Sequence, residues 1–102
     1  MSGYIIFHYN VLDRVQIEEL GPRSLPVLHK FGGDLVIGSY VTRLEGSPFT
    51  HMVAYKFPSQ EAAMAYYESG EIQALSTLRR EITEGFAIYV PAFEENTQTN
   101  GI

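Results

Sequence analysis

Histidine, tyrosine and a few basic residues are the side chains of this chain that could move a proton or hold an anion. It has 3 His and 7 Tyr among 102 residues and no Cys. Without cysteine there are no thiolate nucleophiles, disulfides, or cysteine-ligated zinc or iron–sulfur centres. His8, His29 and His51 lack the spacings by which a helix or hairpin presents metal ligands, so no metal and no cofactor is expected. His8 and His51 fall in aromatic, β-branched runs, "YIIFHYN" and "HMVAYKF", where an imidazole can act as general acid or base near neutral pH. Tyr55 lies four residues after His51, on the same side of an extended strand, and completes the candidate catalytic set of His8, His51 and Tyr55.

The candidate ligand-binding residues are Lys56, Tyr66 and Arg79. Lys56 should share a strand face with His8, with Tyr4 and Tyr89 nearby. An enclosed lysine there would lose proton affinity and become a base unless a partner held its charge. Arg79 could clamp a carboxylate with two parallel bonds. A second grouping puts Tyr9, Tyr55 and His51 on the opposite face, with Tyr66 or Tyr67 and Arg79 beside them, around a small-molecule cavity. Each residue also has a structural reading. Lys56 can be a rim residue whose stem packs while its ammonium reaches water. His8 can be a satisfied interface histidine. The tyrosines can be core filler worth about 1.5–3 kcal/mol each in burial, with Arg79 capping helix carbonyls and His29 sitting against the dipole of a helix end.

These side chains must be carried by a small set of elements. Tyr4 to Asn10 reads as a first strand. Asp13 with Gln16 is a helix start, and Gly21-Pro22 should split that helix in two, the second piece running from about Arg23 to Phe31 before Gly32-Gly33 stops it. Leu35 to Leu44 reads as a second strand with Gly38 as a candidate bulge or point of close approach. "EGSPFT", Glu45 to Thr50, has the composition of a hairpin loop, and His51 to Phe57 is the third strand. Pro58 cannot continue a ladder and Ser59 is a good helix cap, so Phe-Pro-Ser switches strand to helix, with Glu61 against the positive dipole end. Ser69-Gly70 marks a break before an amphipathic stretch through Ile72, Leu75 and Leu78 or Arg79 toward Arg80. Phe86 to Val90 is a fourth strand. The polar segment 94–102 has little to bury and should be a disordered tail behind a single domain, 1–93.

Strand-helix-strand-strand-helix-strand is the ferredoxin-like βαββαβ order: an α+β fold with a four-stranded antiparallel sheet and two helices on one face. In the first strand Tyr4, Ile6 and His8 point opposite to Ile5, Phe7 and Tyr9, and both sets are large and mostly apolar. A sheet apolar on both sides with helices on one should bury the other against a second sheet, so a homodimer is expected, through the face of Tyr4, Ile6 and Met52.

Charge and length narrow the partners. Seven basic against 12 acidic residues give a net charge of -5, which removes the general attraction that nucleic-acid binders use. No apolar run approaches the roughly 20 residues of a membrane span, and no basic leader precedes the first strand, so a soluble, cytoplasmic protein with no nucleic-acid or membrane partner is expected.

The segments "YII" with "VLD", "FGGDLV", "LEG", "FPSQEAA" with "YYES", and Arg79 together resemble the bacterial family called domain of unknown function 1330, within the dimeric α/β-barrel superfamily, from about Tyr4 to Val90. The resemblance implies the ferredoxin-like fold and a dimer whose sheets close a barrel. It implies no specific reaction. This chain departs from the family in having Ile37 where Arg is usual, Lys56 where Glu is usual and Tyr66 where Trp is typical, so a role resting on an Arg–Glu pair is lost. The superfamily's enzymes suggest a cofactor-independent oxygenase or isomerase acting on a small aromatic or keto metabolite; a non-catalytic binding or interaction module is the alternative. Haem-degrading members of the superfamily resemble "YYESGEIQALS", but Ser76 stands where they place the iron-binding histidine. A serine hydroxyl is a weak, neutral ligand for haem iron, so haem added to the protein should give no sharp, saturating Soret shift.

Overall fold

The computed structural model describes residues 1–93; the segment expected to be a disordered tail lies outside the described residues. Four strands, β1 (Gly3–Val11), β2 (Asp34–Tyr40), β3 (His51–Phe57) and β4 (Thr83–Pro91), alternate with α1 (Arg14–Lys30), α2 (Gln60–Glu68) and α3 (Gly70–Ile82). The strands form one antiparallel sheet in the order β2-β3-β1-β4, the ferredoxin-like arrangement.

Register decides which residues meet. Ile5 lies opposite Tyr55 on β3 and Tyr89 on β4, Tyr9 opposite His51, and His8 opposite Met52 and Phe86. Ile5, Phe7, Tyr55 and Phe57 therefore share one face, which packs on Val27 and Leu28 of α1, Ala63 and Tyr66 of α2 and Ile72 of α3. On the other face Ile37, Phe86, Ile88 and Val90 remain 46%, 43%, 46% and 38% exposed. Tyr89 falls on the helix-covered face and not beside His8, because the β1–β4 register pairs it with an odd-numbered residue.

Capping fixes the helices. The Asp13 carboxylate accepts the Gln16 amide at 3.1 Å, and Ser59 accepts the Ala62 amide at 3.0 Å. Ser69 closes one helix and opens the next, donating to the Tyr66 carbonyl at 2.8 Å and accepting the Ile72 amide at 3.2 Å, so the expected break is a helix-to-helix joint. Gly32, at φ +81, ends α1: the Gly32 and Gly33 amides return to the His29 and Leu28 carbonyls, each at 3.0 Å. A Cβ at Gly33 would drive into Leu28 and Phe57.

Three expectations need correction. The first helix is continuous through Pro22 and Pro26, which both lie on its exposed side below Glu18, where carbonyls deprived of a donor can be hydrated while Leu20, Val27 and Leu28 hold the inner side. The bulge in β2 lies between Leu35 and Ile37, not at Gly38. β2 ends at Tyr40 rather than Leu44, leaving a ten-residue loop, 41–50, between β2 and β3.

Candidate functional site

The bulge and Gly21 together make a cleft. By adding one residue to the edge strand, the bulge turns Leu35, Gly38 and Tyr40 toward the helix side, opposite Tyr55, Val53 and His51. On α1, Gly21 offers no side chain to fill the space. The result is a cavity of about 340 Å³ walled by Tyr9, Leu25, Tyr40, His51, Val53 and Tyr55. A recess of about 90 Å³ shares Tyr9, Val53 and Tyr55 and reaches Phe7 and Ser24. An adjoining space of about 220 Å³ at Tyr40 and His51 is bordered by Arg14 and Glu18.

His51 is held tightly. Its ring stacks on Tyr9, 15° from parallel with centroids 5.6 Å apart, and lies 4.2 Å from the Tyr40 ring. Nδ1 is 2.7 Å from Thr50 Oγ1. In the tautomer whose Nδ1–H donates to that hydroxyl, Nε2 is free to accept a proton. Partial burial, and secondarily the positive charge of Arg14, lower its pKa below the ordinary histidine value, so the imidazole is neutral at pH 7. Burial, with Tyr55 beside it, raises the Tyr9 pKa against the opposing pull of Arg79, so Tyr9 is a neutral phenol able to donate a hydrogen bond.

Of the six residues singled out by sequence, His51 and Tyr55 line this cleft. Tyr66 is only 2% exposed and is wedged among Phe31, Tyr55 and Phe57; burial pushes its hydroxyl far above the ordinary tyrosine range. Arg79 is half-buried with its guanidinium 4.8 Å from the centre of the Phe7 ring. Burial lowers its pKa, opposed chiefly by Tyr67, and among the described residues the ion pair formed is Lys30–Glu71, with no carboxylate on Arg79. Tyr66 and Arg79 thus stand one layer behind the cleft, and between the sheet and the second helix a separate space of about 300 Å³ opens at Ile5, Met64, Tyr67, Ala87 and Tyr89. Lys56 and His8 lie on the other face but far apart. Lys56 is exposed, opposite Tyr4 and Asp34, whereas His8 is opposite Met52, four residues or about 13 Å along the strand.

His8 has partners that sequence spacing could not reveal. Nδ1–H donates to the His51 backbone carbonyl at 2.7 Å, and Nε2 accepts from the Ser47 hydroxyl at 2.6 Å. Ser47 lies 39 residues away in the β2–β3 loop; the Gly-Ser-Pro composition marked a turn, but only the fold brings it back over the sheet. Tyr9, Tyr40, Thr50 and Arg14 complete the His51 environment; the aromatic strand pattern signalled the first, and the shifted register hid the second. Among the described residues no three His, Asp or Glu side chains are grouped to hold a metal ion, and no helix is long and apolar enough to cross a membrane.

The family profile "Domain of unknown function (DUF1330)" matches residues 2–93. No functionally curated protein matches significantly. Among solved structures, the protein of unknown function RPA0582 from Rhodopseudomonas palustris is 15% identical with a TM-score of 0.72, over 91% of this chain and 83% of that one. SnoaB, a cofactor-independent oxygenase from Streptomyces nogalater, is 10% identical with a TM-score of 0.69, over 95% and 98%. A dimeric ferredoxin-like protein of unknown function from Thermobifida fusca is 12% identical with a TM-score of 0.58, over 90% and 92%. At these identities the likeness is one of fold.

Proposed function

The chain belongs to the DUF1330 family, and we propose that it is a homodimeric protein that takes a small aromatic or keto metabolite into the cleft between α1 and the sheet, where His51 moves a proton without a cofactor. The observation that carries this reading is the placement of the His51 imidazole, fixed by Thr50 and the Tyr9 and Tyr40 rings at the edge of an aromatic-walled cavity. A flat ligand would stack on the same rings, and the Tyr9 hydroxyl could donate to its carbonyl. Abstraction of a proton from the carbon beside that carbonyl gives an enolate. Return of the proton at another carbon would be an isomerisation, and capture of the enolate by O2 an oxygenation. SnoaB supports the second by fold only. The charge of Arg79 favours acidic ligands at the inner end, since Phe7 touches both the recess and the guanidinium.

Dimerisation is proposed from the apolar face left open by Ile37, Phe86, Ile88 and Val90, larger than scattered exposed residues account for. A cytoplasmic location is proposed from the absence of cysteine.

The test uses 2-hydroxyacetophenone and 1-naphthol as probes. Saturable shifts of the Leu25 and Val53 methyl resonances are expected, together with accelerated exchange of the acetyl protons of the ketone into deuterated water. His51→Phe should abolish the exchange and keep the binding. Binding without exchange would favour the non-catalytic module, oxygen uptake would identify the oxygenase branch, and absence of binding at those methyls would sink the cleft reading altogether.

A further inference from the structure

On the face of the sheet away from the cleft, His8 and Ser47 form a pair that the proposal above does not use. Ser47 Oγ stands 2.6 Å from His8 Nε2, and His8 Nδ1 stands 2.7 Å from the His51 carbonyl oxygen. A carbonyl can only accept, so Nδ1 carries the proton in the neutral ring and Nε2 must accept from the serine hydroxyl. The backbone thus performs the task that a carboxylate performs in a serine–histidine–acid triad: it fixes the tautomer and the ring plane. Two phenyl rings hold the imidazole edge-on, Phe49 at 5.2 Å and Phe86 at 5.7 Å. Ser47 is placed by a tight turn. Gly46 adopts φ +67, and Ser47 Oγ accepts the Phe49 amide at 3.2 Å, which stabilises negative charge developing on that oxygen. Asn10, the next side chain on this face of β1, gives its two amide hydrogens to the Pro48 carbonyl and to Glu84 Oε1, each at 3.3 Å, and so ties the loop that carries Ser47 to the sheet.

We propose that Ser47 is an activated nucleophile, with His8 as its base, in a second site that transfers the acyl group of small aryl esters to water. Ser47 Oγ attacks the ester carbonyl carbon while its proton passes to His8 Nε2. The tetrahedral adduct breaks its bond to the aryl oxygen, which leaves with the proton from His8. Water, deprotonated by the same nitrogen, then attacks the acyl carbon, the bond to Ser47 breaks, and Oγ regains its proton. No oxidant, metal or further reactant enters. Phe49 and Phe86 flank the position and fit an aryl leaving group, and a sheet paired with a second copy through this face would admit only small esters.

The test treats the intact purified protein with diisopropyl fluorophosphate and, separately, with p-nitrophenyl acetate. The expected result is one covalent adduct, mapped to Ser47, and an acetate release that Ser47→Ala loses entirely. His8→Gln should slow labelling by about 100-fold, the scale of a positioned base. If that variant fails to fold, the unmodified protein decides: its labelling rate should rise with pH along a single imidazole ionisation and vanish in urea. An adduct on a tyrosine or another serine, equal labelling of folded His8→Gln, a rate without that ionisation, or no adduct at all would overturn the proposal. None of these outcomes touches the cleft, because His51→Phe leaves Ser47 and the His51 backbone carbonyl in place.

Discussion

His8 and His51 sit on adjacent strands one register step apart, yet they face opposite sides of a single sheet and live in different chemistry. His51 looks toward the helices, with one nitrogen on a threonine and its faces against tyrosines. His8 looks away from them, with both nitrogens occupied, one by backbone and one by a serine. On the covered face the core leaves two openings, the cleft at Gly21 and the β2 bulge and the space of about 300 Å³ at Met64, Tyr67 and Tyr89, and the histidine of that face stands at the first. The other face is apolar but unfilled, and its one polar device is built by a loop folded back over it. Strand alternation therefore divides this small domain into a side that is stable by itself and a side that calls for a second layer.

The largest effect should come from breaking the covered side. Leu28 has no exposure and touches the sheet where Gly33 allows close approach. Leu28→Ala should cost about 2–5 kcal/mol of unfolding free energy in a urea titration. Ile88→Ala, on the open side, should cost under about 1 kcal/mol within a protomer. A similar loss for both would erase the distinction between the faces.

Next in size is the open side itself. Ile88→Glu should leave the protomer folded, since the site is 46% exposed, and should weaken self-association by roughly a hundredfold or more, because each copy would bury a charge in the proposed interface. Sedimentation velocity of both forms reads this directly. A monomer in the unmodified protein at micromolar concentration would remove the proposed dimer.

What the sequence disclosed, and where it stopped, follows the same division. The alternation of Tyr4 to Asn10, the Asp13 and Ser59 caps, the Ser69-Gly70 break and the Phe-Pro-Ser switch are local signals, and they yielded the order of elements and the two faces. The Pro22–Pro26 helix escaped because proline's cost depends on which side of the helix loses its donors, and that side is set by packing. Tyr89 and Tyr40 escaped because register is a relation between strands: one bulged residue reverses which side chains share a face. His51 and Tyr55 were legible as neighbours on one strand side. Whether the space before them was filled was not, since periodicity assigns a direction to a side chain and says nothing of the volume it meets. Ser47 had no signal at all beyond its turn, as its partner is 39 residues away.

The smallest effect is also the sharpest contrast between the faces, and it concerns pH. His51 is depressed first by burial and second by Arg14, so its folded pKa lies below the 6.5 of an unfolded histidine. Between those two values the unfolded chain binds more protons than the native one. Stability must then rise with pH across that window: the His51 contribution is intact above about 6.5 and is lost as pH falls through the folded pKa. The titration of the His51 ring carbon-bound protons by NMR should have its midpoint below 6.5, and Arg14→Gln should move it only part of the way back, because burial is the larger cause. A full return to 6.5 in that variant would make the charge of Arg14, and not the aromatic enclosure, the origin of the neutral imidazole. The same spectra should show the His51 midpoint rising when 2-hydroxyacetophenone occupies the cleft and accepts a hydrogen bond from the protonated ring. A midpoint indifferent to the ligand would separate His51 from the cleft it borders.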